Sequence, residues 1–204
     1  MAGALGLLAA FALFTAAVLI VDVQPIGPQG SSVGFATLNQ WAHNLTGVHM
    51  PLYVITDWLS LIPAGCILGF ALLGLWQWMS RKSILKVDRD ILALGGFYLA
   101  VAAAYVLFEV FSVNYRPVLI DGALEASYPS STTMLSLCVM PTAAMQLQRR
   151  IADSRLRRWV CIAIAAFTVF MVFLRLVSGV HWLTDIVGGA LLSAGLVMGY
   201  AAAT

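Results

Sequence analysis

Long apolar runs, separated by short polar stretches, dominate this sequence. Six runs approach the ~20 residues that a helix needs to cross a bilayer, and they cover about residues 3–21, 54–78, 91–111, 130–148, 159–177 and 182–203. The fourth run is diluted by Ser, Thr and Gln, which favours contact with other helices over contact with lipid. The pattern predicts an all-α integral membrane protein with six transmembrane helices in a bundle.

Residues 22–51 form the first connection between the predicted membrane helices. Four apolar side chains recur there at helical spacing: Phe35, Leu38, Trp41 and Leu45. We therefore predict a short helix lying in the membrane interface, capped by Ser31 or Ser32. The chain then divides into residues 1–50, a first transmembrane helix with an interfacial extracytoplasmic segment, and residues 51–204, the transmembrane helical core.

The composition is that of a chain embedded in lipid. Of the 204 residues, 61% are hydrophobic and 10% are charged, and the mean hydropathy is +0.93. A soluble domain of this size could not cover so much apolar surface, so membrane lipids are the expected surroundings. The net charge of +2 is too small to indicate nucleic acid as a partner. Three cysteines lie inside apolar runs without CxxC spacing and are interpreted as small buried hydrophobes.

The basic residues predict the orientation. Nine of the eleven lie in two connections on one side of the membrane: Arg81, Lys82, Lys86, Arg89, Arg149, Arg150, Arg155, Arg157 and Arg158. The positive-inside rule places these connections, and with them both termini, in the cytoplasm. No Lys or Arg precedes Arg81, so the first run lacks the basic n-region of a signal peptide and is predicted to be a membrane helix.

Arg116 and Arg175 break this rule, because they lie in connections on the opposite side. The stretch RLVSGVHWLTD adds His181 and Asp185, four residues apart at a predicted helix start. The carboxylate can orient the imidazole, which leaves the other ring nitrogen free as a nucleophile or base. Two guanidinium groups in a partly dry site suit a phosphate. Taken singly, each has an ordinary interpretation, such as an arginine that reaches the headgroups or an interfacial histidine.

The stretch YPSSTT precedes the fourth predicted helix on the same side. Ser130, Ser131 and Thr132 offer hydroxyls and free backbone N–H groups, which suit a phosphate as well as an ordinary helix cap. Their joint occurrence with the histidine, the aspartate and the two arginines predicts phosphoryl transfer through a phosphohistidine.

These motifs resemble those of the type 2 phosphatidic acid phosphatase family of integral membrane lipid phosphatases. That family shows K-x6-R-P, then P-S-G-H, then S-R-x5-H-x3-D on a six-helix core. The matching stretches here are "RP" at 116–117, "PSST" at 129–132 and "LRLVSGVHWLTD" at 174–185. The resemblance covers about residues 50–204, and makes residues 51–204 a phosphatase-like core. It implies His181 as the nucleophile, with Asp185 as its orienting partner.

The same resemblance implies that Arg116 and Arg175 bind the phosphoryl oxygens and that Ser130 adds a donor. Two family positions differ. Glu109 stands where the lysine is expected, and Thr132 replaces the histidine that protonates a leaving alkoxide in the family. Ser131 and Leu174 replace the glycine and the serine. General acid catalysis is commonly worth ~10²–10⁴ in rate, so the missing histidine favours a leaving group that departs as a stable anion.

We therefore predict a metal-independent lipid phosphatase without a cofactor, which acts on a lipid phosphate or diphosphate at the extracytoplasmic face. A polyprenyl diphosphate is favoured as substrate, and a bacterial inner membrane as location. Glu109 is a possible substrate contact, ion-pair partner or proton donor, whereas Asp121 and Glu125 are interpreted as residues of a solvated loop. A phosphotransferase on the same scaffold and a lipid-phosphate-binding protein without turnover remain alternatives.

Overall fold

The structure is a computed structural model that describes residues 1–204 as an all-helical protein. Its eight α-helices are α1 (Ala2–Ile20), α2 (Ala36–Thr46), α3 (Met50–Leu59), α4 (Leu61–Arg81), α5 (Arg89–Val110), α6 (Ser131–Arg150), α7 (Ser154–Val177) and α8 (Leu183–Ala203). Short 3-10 turns lie at Pro28–Gly30 and Ile84–Lys86. The predicted all-α membrane class is confirmed. By length and apolar composition, α1, the α3–α4 pair, α5, α7 and α8 can cross a membrane.

The second predicted span differs from the sequence prediction in its start and its continuity. The helical stretch begins at Met50 and is interrupted at Ser60, between α3 and α4. Pro63 lies in the first turn of α4 and has no N–H group, so the carbonyl of Leu59 loses its usual helical partner. At the same break the Ser60 hydroxyl donates to the carbonyl of Asp57, at 2.5 Å.

Helix α6 corresponds to the polar fourth run and lies among the other helices. Half of its residues are buried, and it packs against α4, α5, α7 and α8. Its polar side chains bond to neighbours, since Gln146 donates to the hydroxyl of Tyr200 at 2.5 Å, and Thr142 lies 3.3 Å from the hydroxyl of Tyr98. Its composition falls short of a lipid-facing span, so the count of six transmembrane helices stays a prediction.

Helix α1 packs along α8 and closes the core. Phe11 of α1 joins Tyr128 and Leu192 in the main apolar cluster, with Phe11 stacked on Tyr128 at 6.2 Å between ring centroids. The hydroxyl of Tyr128 lies 2.7 Å from that of Thr15. The division of the chain at residue 50 stays a prediction. Helix α1, from the first part, packs in the same core as helices of the second part.

Helix α2 is the predicted short helix, with one buried and one exposed face. Leu38, Trp41 and Leu45 are exposed, whereas Asn39 is fully buried. The predicted cap at Ser31 or Ser32 is wrong, because the helix begins at Ala36 after Phe35, which adopts a left-handed conformation. An exposed apolar stripe on a helix outside the core suits the membrane interface.

Ion pairs connect the helices at the end where most basic residues lie. Arg81 bonds to Asp88 at 2.7 Å, and Arg150 bonds to Asp90 at 2.9 Å. Hydrogen bonds from Arg81 and then Gln77 lower the pKa of Asp88 below its ordinary value. These pairs join the start of α5 to the ends of α4 and α6. Arg116 and His181 lie in the connections at the other ends of the helices.

Replacing Gly188 by alanine tests the tight packing of α8. A Cβ atom at this position would lie 2.5 Å from Cε2 of Tyr128, and that ring is held by Phe11 and Thr15. Overpacking of this kind costs about 1–3 kcal/mol, so Gly188→Ala should lower the unfolding temperature of the purified protein in detergent. Gly65→Ala is the matched control, since nothing lies within 4 Å of its Cβ position. Equal unfolding temperatures for both variants would contradict this account.

Candidate active site

A cavity of about 240 Å³ lies where the α5–α6 connection meets the α7–α8 connection. Its polar lining consists of Glu109, Arg116, Glu125, Ser127, Ser131 and His181. Apolar and aromatic side chains complete the wall, among them Tyr105, Phe108 and Tyr128. The cavity thus combines a basic, an acidic and an imidazole group at one end of the bundle.

The α5–α6 connection folds back on itself and so positions Arg116. The backbone N–H of Arg116 donates to the carbonyl of Glu125 at 3.0 Å, next to an antiparallel bridge between Tyr115 and Ala126. The side chains of the same pair also meet, with Nε of Arg116 3.0 Å from Oε2 of Glu125. Because the Arg116 residue is only 7% exposed, this carboxylate offsets part of the cost of burying the cation.

His181 lies directly beside Arg116. Nε2 of the imidazole is 3.0 Å from NH1 of Arg116, and since a guanidinium only donates, Nε2 accepts and carries a lone pair. The ring proton of this neutral form is then on Nδ1. Burial lowers the pKa of His181 well below its ordinary value, and the charges of Arg116 and Arg175 lower it further against a smaller opposing effect of the Ser127 backbone.

Asp185 holds the start of α8 and faces the histidine. Its Oδ2 accepts a hydrogen bond from the backbone N–H of Trp182 at 2.9 Å, and lies 3.5 Å from Nδ1 of His181. The latter separation is longer than a normal hydrogen bond, so the carboxylate faces the Nδ1 side of the ring without a full bond to it. The backbone carbonyl of Asp185 also accepts from the N–H of Ser130 at 3.1 Å, which joins α8 to the start of α6.

Arg175 reaches the site from the last turn of α7. Its NH1 donates to Oγ1 of Thr56 at 2.9 Å and to Oδ1 of Asp57 at 3.0 Å. The ring of Tyr53 faces both arginines, with guanidinium carbons 4.7 Å (Arg175) and 5.7 Å (Arg116) from the ring centroid. Such cation–π contacts stabilise two cations of like charge near one another. Arg175 does not line the cavity itself.

Gly179 sets the path of the chain between Arg175 and His181. It has φ +67, a conformation that glycine adopts without steric cost, and a Cβ there would lie 1.8 Å from the carbonyl oxygen of Gly47. The neighbouring carbonyl of Ser178 accepts from the N–H of His49 at 2.9 Å. The α7–α8 connection is therefore pressed against the connection between α2 and α3.

The PSST stretch is divided between two cavities. Ser130 is the N-cap residue of α6, and its buried hydroxyl has no partner. Ser131 lines the cavity of His181, whereas the buried side chain of Thr132 lines a neighbouring one. Glu109, at the last turn of α5, is exposed and also lines the His181 cavity.

Sequence reasoning missed several residues of this site. Glu125 was interpreted as solvated, yet its half-exposed side chain pairs with Arg116. The fully buried Asn39 of α2 donates to Oγ1 of Thr184 at 2.9 Å and accepts from its backbone N–H at 3.1 Å, which attaches α2 to the start of α8. The other two histidines of the chain, His43 and His49, do not line this cavity, so His181 is the only imidazole on its wall. A buried arginine needs an acceptor, and this is the signal that points to Glu125.

The comparisons with known proteins agree on one family. Residues 110–203 match the model of a family described as the PAP2 superfamily. This segment contains Arg116, Glu125, Arg175, His181 and Asp185, whereas the residues of α2, α3 and α5 around the cavity lie before it. No curated protein sequence matches the chain.

A solved structure has a similar fold over almost the whole chain. The crystal structure of the first transmembrane PAP2 type phosphatidylglycerolphosphate phosphatase from Bacillus subtilis superposes with a TM-score of 0.70 at 18% sequence identity. The match covers 99% of this chain and 96% of that chain. At this identity the similarity establishes the fold.

The protonation state of His181 can be tested without a substrate. Because burial and two nearby cations lower its pKa, the imidazole should remain neutral below pH 6.5, the usual histidine value. NMR of protein labelled at the histidine rings in detergent should show one signal that keeps its neutral chemical shift to well below that pH. A His181→Gln variant assigns this signal by its loss. A His181 signal that titrates at or above pH 6.5 would contradict the described environment.

Proposed function

Since residues 110–203 match the model of the PAP2 superfamily, we propose that this chain is an integral membrane phosphatase that acts on a lipid phosphate or diphosphate through a phosphohistidine at His181. The observation that carries the proposal is the 3.0 Å contact between Nε2 of His181 and NH1 of Arg116 on the wall of the cavity. A lone pair beside a guanidinium group is the arrangement that attack on a bound phosphoryl group requires.

The first step places the phosphoryl group between His181 and the arginines. Nε2 attacks phosphorus, and Nδ1–H faces the Asp185 carboxylate, which stabilises the positive charge that develops on the ring. Arg116 and Arg175 would neutralise the phosphoryl oxygens. Both arginines are paired with carboxylates, Glu125 and Asp57, and the phosphoryl oxygens would bind the guanidinium N–H groups that these carboxylates leave open.

The leaving group is the basis for favouring a diphosphate. The cavity contains no histidine besides His181, and Thr132 lines the neighbouring cavity. A phosphate group leaves as a stable anion, whereas an alkoxide needs a proton donor worth ~10²–10⁴ in rate. A polyprenyl diphosphate is therefore the proposed substrate, and Glu109 is proposed to contact it at the mouth of the cavity.

An apolar groove offers space for the lipid chain. The cavity of His181 shares Tyr105, Ser131 and Met134 with a second cavity of about 370 Å³. That cavity shares Ile67, Tyr98 and Ala102 with a third of about 690 Å³ between α4 and α5, lined mainly by apolar side chains. A chain attached to a phosphate at His181 could follow this series of cavities between the helices.

The proposed orientation is the one derived from the charge pattern. We place the cavity at the extracytoplasmic face and both termini in the cytoplasm, because the basic connections lie at the other end of the helices. A bacterial inner membrane is the proposed location. A phosphotransferase would use the same first step with an acceptor hydroxyl in place of water, and a lipid-phosphate-binding protein would use the arginines alone.

Replacing His181 separates catalysis from binding. Purified protein should release phosphate from a polyprenyl diphosphate without added metal, and more slowly from phosphatidic acid. His181→Ala should lower the release by ~10⁴-fold or more, because it removes the nucleophile. Phosphate release is followed together with analysis of the lipid products.

Three outcomes distinguish the alternatives. Equal release by the parent protein and His181→Ala would refute the phosphohistidine proposal. Transfer of the phosphoryl group to an added alcohol in preference to water would identify a phosphotransferase. Tight binding of both lipids without release by the parent protein would identify a binding protein.

Filling the groove tests the path of the lipid chain. Gly96 lines the third of these cavities, and nothing lies within 4 Å of its Cβ position, so Gly96→Leu should fold and occupy the groove. We expect kcat/KM to fall ~10-fold or more for a long-chain substrate and to change little for a soluble short-chain phosphate. Gly6→Leu is the control, because Gly6 is exposed on α1 and equally open. Equal losses for long and short chains would contradict this path.

A further inference from the structure

We propose that Glu125 is the general base that activates water for hydrolysis of the phosphohistidine. This inference rests on the proposed function, since it concerns the second half of the same reaction. The first half requires no proton donor when phosphate leaves, but the second half always requires loss of a proton from the attacking water. The reaction therefore needs an acceptor at the cavity besides the histidine that carries the phosphoryl group.

Few groups on the cavity wall can accept this proton. Besides His181, the titratable side chains are Tyr105, Glu109, Glu125 and Tyr128. The hydroxyl of Tyr128 is directed away, towards Thr15 at 2.7 Å. A tyrosine is ordinarily protonated at neutral pH, so the two carboxylates are the candidates.

The contacts of Arg116 distinguish the two carboxylates. Nε of its guanidinium bonds to Glu125 at 3.0 Å, and NH1 bonds to Nε2 of His181 at 3.0 Å. Because a guanidinium is planar and rigid, these two bonds place the carboxylate and the nucleophilic nitrogen on either side of one cation before phosphoryl transfer. Once Nε2 carries the phosphoryl group, NH1 donates to a phosphoryl oxygen, and Nε keeps its bond to Glu125. Glu109 has no such bond to Arg116, and its side chain is exposed on α5.

The backbone also fixes Glu125 in place. Its carbonyl accepts from the N–H of Arg116 at 3.0 Å, and the flanking residues 115 and 126 form an antiparallel bridge. The carboxylate therefore approaches the reaction centre from a paired segment. Its side chain is 41% exposed, so solvent can deliver the water and remove the proton afterwards.

The step balances without a further reactant. One O–H bond of water breaks, and its proton moves to the Glu125 carboxylate while the oxygen forms a bond to phosphorus. The P–N bond to Nε2 of His181 breaks, and its electron pair returns to the nitrogen as the lone pair. Inorganic phosphate is the product, and Glu125 then releases the proton to solvent.

The test measures the formation and breakdown of phosphoenzyme separately. Protein is mixed with a polyprenyl diphosphate labelled with ³²P at its terminal phosphate, and acid-labile label on the protein is followed over time. Glu125→Gln keeps an acceptor oxygen for Nε of Arg116 but removes the base. We expect the label to form at close to the parental rate and to disappear ~10²-fold or more slowly, so that phosphoenzyme accumulates.

The controls come from the same cavity and connection. Asp121→Asn removes a carboxylate from an exposed turn of the connection that carries Glu125, and its phosphoenzyme should break down at the parental rate. Glu109→Gln removes the second carboxylate of the cavity wall. Accumulation in Glu109→Gln without accumulation in Glu125→Gln would assign the role to Glu109 and overturn the proposal.

Two further outcomes separate this inference from the one on which it rests. Slower formation of phosphoenzyme in Glu125→Gln with unchanged breakdown would show that Glu125 only positions Arg116, and would overturn the proposal. Phosphate release by the parent protein, with no label at any time on either the parent protein or Glu125→Gln, would refute the phosphohistidine mechanism, and with it the role of Glu125.

Discussion

A buried guanidinium group, that of Arg116, is the constraint on which the site depends. A cation removed from water needs acceptors for its N–H groups, and the fold supplies them from two separate connections. Glu125 accepts at Nε and His181 accepts at NH1. The same requirement that stabilises the cation therefore brings an imidazole lone pair and a carboxylate to one cavity, and the α5–α6 connection must fold back for this to occur.

The charges around the arginines are nearly compensated within the protein. Arg175 is paired with Asp57, Arg116 is paired with Glu125, and Tyr53 lies against both guanidinium groups. Asp57 and Glu125 are about half exposed, so each carboxylate also contacts solvent. Each buried cation thus has a carboxylate partner that offsets part of the cost of its burial.

The sequence predicted the class of the fold because apolar length and composition decide which helices lie in lipid. It did not predict the break at Ser60, since Pro63 lies within an otherwise continuous apolar run. The site predictions began from Arg116, Arg175 and His181, whose charge or polarity is costly at a membrane boundary. The resemblance to one family, which followed from their spacing, is borne out by the family model that matches residues 110–203.

Residues that act through distant partners could not be found in this way. Glu125 looked like a solvated loop residue because its role depends on a backbone pairing with Arg116. Tyr53 lies at the edge of an apolar run, where an aromatic side chain is ordinary. Asn39 and Thr184 are 145 residues apart, and nothing local in the sequence connects them. Each contact becomes visible only after the helices have been placed.

The bond between Asn39 and Thr184 has a consequence for how the protein sits in the bilayer. Helix α2 exposes Leu38, Trp41 and Leu45 on one face, and such an apolar face suits the level of the lipid headgroups. Because Asn39 fastens the opposite face to the first turn of α8, three residues after His181, α2 and the imidazole keep a constant relative height. If α2 lies in the interface as predicted, its immersion therefore sets the depth of the imidazole below the membrane surface.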